Sequence, residues 1–276
     1  MTKYLVKNKE ELQEIIKTNS KPLNSLDVSN ITDMSFLFSD FSNVTYFDID
    51  SWDTSNVSDM GSMFRNCSSL KEIPFLYTSN VSSMYRMFEG CSSLITIPLF
   101  DTSNVTDMYR MFDGCTSLKE IPLLNTSNVS NMYCMFEGCS SLITIPLLDT
   151  SNVTSMGSMF YNCSSLKEIP LLNTSSVSSM YRMFEGCSSL TTLPLLDTSN
   201  VSNMYRLFEG CSSLTTLPLL DTSNVTNMGY TFSGCSSLPL VDKVLFLDKS
   251  NNNFKRQIYL QMSKEQLEQT YDNLCV

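Results

Sequence analysis

Histidine is absent from this 276-residue sequence, and charged residues make up only 17% of it. Without imidazole, neither a Ser-His-Asp triad nor a metal centre that depends on histidine can form, so we expect no catalytic residues and no cofactor. Acidic residues outnumber basic ones by 28 to 18 and the net charge is −10, which leaves no basic stripe for binding nucleic acid.

The sequence also lacks any run of about 18 apolar residues, the length that a membrane-spanning helix requires. Its first residues contain no apolar segment of signal-peptide length, and its last residues carry no lipidation or sorting motif. On sequence alone we therefore expect no membrane insertion and a cytoplasmic location.

One tract repeats with a fixed period of 24 residues, with the consensus D-T-S-N-V-x-x-M-x-x-M-F-x-G-C-S-S-L-x-x-I-P-L-L. So strict a period, without insertions, indicates that each copy forms one turn of a solenoid and stacks on the next. A single copy buries too few apolar side chains to offset the entropy lost on ordering it, so stability must come from stacking. The eight copies start at Asp53, Tyr77, Asp101, Asn125, Asp149, Asn173, Asp197 and Asp221.

The solenoid is expected to span residues 27–240, with a degenerate first copy at 27–52 and the eight regular copies within 53–240. The first 26 residues are predicted to form an N-terminal cap, in which a strand at Tyr4–Val6 precedes a helix with Asn8 as its N-cap. Such a cap would cover the core and the unpaired edge of the first turn.

Residues 241–276 are predicted to form a C-terminal cap. Val244–Leu247 and Gln257–Leu260 are typical of two strands of a hairpin, because a polar Ser-Asn-Asn-Asn turn separates them. Ser263 is then expected to cap a final helix.

Within each repeat, the segment equivalent to Leu118–Leu123 is expected to be the strand. The two-residue period of a strand would point Ile121 and Leu123 inward. Pro122 has no N–H to donate, so the regular ladder should be about three residues long and end at the proline.

Eight cysteines occupy the same position of successive repeats and are expected to form a buried, reduced structural column of small apolar side chains. No C-x-x-C pair accompanies them, so we expect no metal site. Cys134 and Cys275 fall outside this set. The cysteine column comprises Cys67, Cys91, Cys115, Cys139, Cys163, Cys187, Cys211 and Cys235.

The repeat D-T-S-N-V-T-x-M-x-x-M-F-x-G-C-S-S-L-x-x-I closely resembles that of the BspA-like leucine-rich repeat surface proteins, over about Asp27 to Leu240. The resemblance implies a right-handed leucine-rich-repeat solenoid of short parallel strands. With the nine copies and the two terminal segments, we expect an α/β-type repeat fold of about nine turns with small α/β caps at both ends. It also implies a cell-surface or secreted location. Adhesion to host matrix proteins or cells, or aggregation with other bacteria, would be its role.

A first candidate binding surface is a column of tyrosine and arginine, because both residues are favoured anchors at protein interfaces. An acid follows each arginine by three residues, so the alternative is a ladder of exposed salt bridges of little energetic value. The tyrosine–arginine face comprises Tyr85, Arg86, Tyr109, Arg110, Tyr133, Tyr181, Arg182, Tyr205 and Arg206.

A second candidate is the last apolar residue of each repeat, which would form an exposed apolar stripe if it points outward. The alternative is that the chain bends after the proline and buries both leucines. This set comprises Phe100, Leu124, Leu148, Leu172 and Leu196. A third column, of threonine, fits an ice-binding array and comprises Thr54, Thr78, Thr102, Thr126, Thr150, Thr174, Thr198 and Thr222.

These patterns predict a non-catalytic repeat scaffold for protein–protein interaction, and the family resemblance implies an adhesin-like surface protein. The alternatives are a structural or self-assembling module and, less favoured, an ice-binding solenoid. The expected partner is a protein of unknown identity. The chain itself is expected to be a monomer, with end-to-end association as the alternative.

Overall fold

The computed structural model of the chain describes residues 3–248, 259 and 261–274. The predicted leucine-rich-repeat solenoid is confirmed, with one turn of chain for each 24-residue repeat. The regular elements of the described part include strands β1 (Tyr4–Leu5) and β2 (Leu26–Asp27), helices α1 (Lys9–Thr18), α2 (Leu240–Leu247) and α3 (Lys264–Leu274), and a short 3-10 helix at Leu23–Ser25.

The N-terminal end of the stack has the predicted strand and helix. Strand β1 pairs in parallel with β2, and Tyr4 lies opposite Leu26. The side chain of Asn8 caps α1 by accepting a hydrogen bond of 2.9 Å from the backbone N–H of Glu11. Leu12 and its neighbours Ile15 and Ile16 are buried on the face that covers the first turn.

Each turn is bonded to the next through a segment that is tightly coiled and has no extended strand. Alternate N–H groups from Met108 to Gly114 donate to carbonyls of the next turn at 2.7–3.1 Å. The residues between them close local turns, as Met111 does with the carbonyl of Met108. Arg110 (φ 53°) and Gly114 (φ 72°) have left-handed backbone conformations, which keep the alternate N–H groups pointing along the solenoid axis.

The predicted location of the strand is wrong. Leu118–Leu123 has no strand, and its lateral bonding between turns is sparse; Lys119 donates to the carbonyl of Ile95 at 3.3 Å. The parallel bridges lie earlier in the repeat, as between Asp107 and Asn131. Pro122 interrupts the hydrogen bonding between turns along Leu118–Leu123 because it has no N–H, whereas the coiled segment from Met108 to Gly114 contains no proline.

The core is a set of stacked side chains that run along the solenoid. The phenylalanine rings of neighbouring turns are 5.6–5.9 Å apart between centroids and within 12° of parallel, from Phe64 to Phe208. Beside them, the thiol of Cys139 donates to the carbonyl of Phe112 in the preceding turn at 3.1 Å. All eight members of the cysteine column are buried and make the equivalent bond.

Polar side chains also connect the turns. The hydroxyl of Thr126 donates to the carbonyl of Asp149 in the next turn at 2.8 Å, and Asn128 donates to the carbonyl of Ser103 in the preceding turn at 2.7 Å. These bonds occupy backbone groups that the bends leave without a partner in their own turn.

The predicted C-terminal hairpin is wrong in its first strand. Val244–Leu247 lies in helix α2, whose four last residues are all buried, a pattern that a strand with alternating faces would not give. Phe246 packs edge-on against Phe232 of the last turn, with ring centroids 5.0 Å apart. Of the second predicted strand, Tyr259 is helical and the other residues lie outside the described part.

Helix α3 begins where the sequence predicts. Ser263 and Gln266 form a reciprocal capping box, in which the Gln266 N–H donates to Ser263 Oγ at 3.3 Å and the Ser263 N–H donates to Gln266 Oε1 at 2.8 Å. The helix packs against α2 through the half-buried Leu267 and Tyr271.

Candidate binding groove

A row of leucines is exposed along the solenoid. Each follows the proline of its turn, and five of its six members have 61–72% of their surface exposed, although they are large and apolar. We call this row the leucine column; it comprises Leu99, Leu123, Leu147, Leu171, Leu195 and Leu219.

The exposed row lies one residue before the row that the sequence predicted to be exposed. Leu124 is only 2% exposed, whereas Leu123, which was expected to point inward, is 63% exposed. Ile121 is buried as predicted, but both Pro122 and Leu123 then face away from the core, which shifts the alternation by one residue. The predicted outward set is therefore corrected to buried: Phe100, Leu124, Leu148, Leu172 and Leu196.

The leucine column forms one wall of a groove of about 1400 Å³ that crosses six turns. In five of these turns the same four positions line it, namely the exposed leucine, the buried apolar residue, an aspartate or asparagine, and a threonine; the sixth turn contributes Leu219 and Asp221. We call it the leucine–aspartate groove. The polar wall, the aspartate column, comprises Asp101, Asn125, Asp149, Asn173, Asp197 and Asp221.

The aspartate column has a repeated local geometry. Asp101 Oδ1 accepts hydrogen bonds from the backbone N–H of Ser103 at 3.1 Å and from its hydroxyl at 2.7 Å. These bonds lower the pKa of the Asp101 carboxyl, and the equivalent bonds lower the pKa of Asp149 and Asp197. The exposed carboxylates are therefore ionised at neutral pH.

The threonine column does not face solvent. All eight hydroxyl-bearing side chains are at most 3% exposed. The described bonds of this column run to carbonyls of a neighbouring segment, as for Thr102 and the carbonyl of Asn125 at 2.8 Å. The ice-binding prediction is therefore wrong, because its hydroxyls are buried.

The tyrosine–arginine face is half-buried and contains many internal contacts. Arg110 Nη1 lies 2.6 Å from Asp113 Oδ2, and Arg182 Nε lies 2.6 Å from Glu185 Oε2. The rings of Tyr109 and Tyr133 stack with centroids 6.0 Å apart. Arg86 and Arg206 also lie beside the acids three residues after them, at 3.3 Å. The side chains of this face are thus mainly bonded to one another, as the salt-bridge alternative predicts.

One part of this face is electrostatically unusual. Cys134 is buried at the position that arginine holds in four other turns. The neighbouring Asp113 has its pKa raised to about 6, mainly by burial and then by the negative charge of Glu137, although Arg110 opposes the shift. The sequence identified this carboxyl only as the acid three residues after Arg110, and nothing in the repeat pattern predicted that its pKa is raised.

Other kinds of site receive no support from the geometry. Among the residues that the structure describes, no three acidic or cysteine side chains are grouped so that they could hold a metal ion. None of the helices in the same ranges combines the length and the apolar character that a membrane crossing needs.

Comparison with known protein families gives a match along most of the chain. The family described as "Mycoplasma protein of unknown function, DUF285" matches residues 6–97, 82–195 and 142–240. These matches cover the repeat region and confirm that the repeat motif carries the family signature. No curated protein is significantly similar in sequence to the chain.

Several solved structures of bacterial leucine-rich repeat proteins are similar to the chain. A leucine-rich repeat protein of T. pallidum is 27% identical over 65% of this chain and 76% of its own, with a TM-score of 0.44. A leucine-rich cell surface protein of Faecalibacterium prausnitzii is 18% identical over 78% of this chain and 76% of its own, with a TM-score of 0.36. A leucine-rich repeat protein of Eubacterium ventriosum is 16% identical over 86% and 83%, with a TM-score of 0.37.

Proposed function

The chain belongs to the DUF285 family of Mycoplasma proteins of unknown function, and we propose that it is a scaffold that binds another protein through the leucine–aspartate groove. The binding energy would come from the leucine column, and the polar wall would orient the partner. No catalytic step is part of this proposal.

The exposed leucines carry the proposal. A single exposed leucine on a protein surface needs no explanation, but a continuous row across six turns does, because contiguous apolar patches on soluble proteins usually mark binding sites. Leu147 and Leu171 lie in the middle of the row and are 64% and 61% exposed. Burying them against a partner would remove apolar surface from water, which is the main source of affinity in such contacts.

The tyrosine–arginine face is the weaker candidate. Its arginines already bond acids of the same chain, so a partner would have to replace existing ion pairs such as Arg110–Asp113. Exchange of one ion pair for another near the surface yields little net free energy.

The resemblance to BspA-like proteins favours host matrix proteins or other bacterial cells as the source of the partner. We therefore propose an adhesin-like role. Surface plasmon resonance against immobilised fibronectin, laminin and collagen would test it. Binding to one of them that depends on the leucine column would support the role, and binding that survives loss of the column would assign it to another face.

The groove itself can be tested without knowledge of the natural partner. A displayed peptide library would be selected on the wild-type protein, and the enriched peptides would be measured on a Leu147→Gln, Leu171→Gln double variant. We expect the double variant to weaken binding at least about tenfold, since each leucine contributes roughly 1 kcal/mol or more when it is buried. Both side chains are exposed, so the fold should be unaffected.

A matched control lies in the same turn. Ile143 is 46% exposed and apolar but does not line the groove, so Ile143→Gln should leave peptide binding unchanged. A Tyr109→Ala, Arg110→Ala variant probes the other face. If the enriched peptides bind all groove variants as tightly as the wild type, the groove is not the binding site.

A further inference from the structure

The charged residues of the groove are all acidic. Asp101, Asp149, Asp197 and Asp221 line it, and no lysine or arginine does so within the described ranges. Asn125 and Asn173 separate the first three aspartates, so that carboxylates stand on every second turn along this stretch. A binding segment that is complementary to this wall would carry positive charge at a matching interval.

The carboxylates are not needed for the local fold. Asn125 Oδ1 accepts the same pair of bonds from Ser127, at 3.1 Å and 2.8 Å, as Asp101 accepts from Ser103. Asn173 does the same with Ser175. Because the amide supports the turn as well as the acid does, the negative charge at Asp149 and Asp197 is left without a structural role.

The spacing of the turns identifies which kind of segment fits. Laterally bonded backbones lie about 4.8 Å apart. The stacked rings of neighbouring turns lie 5.6–6.0 Å apart, so the spacing of the turns falls between these two distances. An α-helix that lies along the axis repeats every 5.4 Å, within this range. An extended strand repeats a same-face side chain only every ~6.7 Å, so it would lose register by about one full turn over six turns.

A helix also matches the charge interval. Carboxylates on every second turn are about 10–12 Å apart, and residues seven apart on a helix are separated by 10.5 Å. Its apolar side chains, three or four residues apart, would follow the leucine column turn by turn. The five intervals from Leu99 to Leu219 measure about 24–30 Å, the length of a helix of roughly 18 residues.

We propose that the leucine–aspartate groove takes a cationic amphipathic helix of a partner protein, laid along the solenoid axis. Its apolar face covers the leucine column, and lysine or arginine at seven-residue intervals pairs with Asp101, Asp149 and Asp197. This inference rests on the proposed function and adds to it the class of segment that is bound.

A synthetic 18-residue peptide tests the proposal. It would consist of leucine on one face and lysine at seven-residue intervals, with a fluorescent label for anisotropy measurements against the full chain. We expect binding that weakens several-fold between 50 and 300 mM salt, since exposed ion pairs are screened. A peptide with glutamate in place of each lysine should bind at least about tenfold more weakly, and so should one with a central proline, which breaks the helix.

Variants of the chain test whether binding depends on the carboxylates of the groove. Asp149→Asn with Asp197→Asn should weaken binding of the lysine peptide about three- to tenfold, because exposed ion pairs contribute modestly. Glu120→Gln with Glu168→Gln removes two exposed acids outside the groove and serves as the matched control, for which we expect less than a twofold change. This control excludes a general attraction to the net charge of −10.

The possible outcomes distinguish this inference from the proposed function. If the glutamate peptide binds as well as the lysine peptide, and Leu147→Gln with Leu171→Gln abolishes both, the groove binds proteins but the cationic partner is wrong. The same conclusion follows if library-selected peptides depend on the leucines and carry no basic residues. If the proline peptide binds as tightly as the helical one, the partner is not a helix. If neither selected nor designed peptides depend on the leucines, both proposals fail.

Discussion

Stability between pH 5 and pH 7 should depend on one carboxyl, that of Asp113. The chain has no histidine, so no imidazole titrates in this window. Asp113 is 15% exposed, and burial together with the negative charge of Glu137 raises its pKa to about 6 from the ordinary 3.8. Its Oδ2 lies 2.6 Å from Arg110 Nη1, an ion pair that reduces the shift but does not cancel it.

The sign and size of the effect follow from proton linkage. A carboxyl with a raised pKa binds more protons in the folded than in the unfolded state between about pH 4 and pH 6, so stability increases as the pH falls through this range. From pH 7 to pH 5 the gain in the free energy of unfolding is about 1 kcal/mol. For a chain of this length, that corresponds to an increase in Tm of about 2–4 °C.

Differential scanning calorimetry of the wild type and Asp113→Asn at pH 5 and pH 7 measures the effect. Asparagine resembles the protonated acid and does not titrate, so the variant should lose most of the pH dependence. The exposed Asp149 has a lowered pKa, so it destabilises the fold only at a lower pH, and Asp149→Asn serves as the control that retains the wild-type response. An equal change in Tm for wild type and Asp113→Asn would refute the assignment to Asp113.

Three further predictions concern the buried columns. Cys139→Ser should destabilise the fold by about 1–2 kcal/mol in urea unfolding, because a hydroxyl replaces the larger apolar thiol that contacts the carbonyl of Phe112. The control Ile143→Ser, at an exposed position, should cost much less. Thr126→Val should cost about 1–3 kcal/mol in the same assay, since the carbonyl of Asp149 loses its donor, and a cost near zero would show that the bond is unimportant. The thiols of the cysteine column should not react with Ellman's reagent at pH 8 in the native protein, because burial raises the pKa of each thiol, that of Cys67 to about 12. Rapid labelling of Cys139, detected by mass spectrometry, would contradict this prediction.

Much of the architecture could be predicted from the sequence because the repeat has a fixed period. Equivalent residues of stacked turns must lie above one another, which places side chains such as Cys139 and Phe112 in the core before any coordinates are known. The N-terminal cap could be predicted for a similar reason, since Asn8 and the apolar spacing of α1 are local signals. The C-terminal cap could not, because Val244–Leu247 is a short apolar run that suits a strand or a helix equally well.

The sequence by itself determined that the chain is a solenoid, where its turns begin and which columns they form, because a period of 24 residues admits no other stacking. Only the tertiary structure decided which of two adjacent leucines faces solvent. In the five turns from Thr102 to Thr198, the buried Leu124 equivalent and the threonine bonded to the next turn fix the side-chain direction after the proline. These contacts are made between turns, so the alternation of residues along one turn cannot reveal them, and the binding groove follows from them.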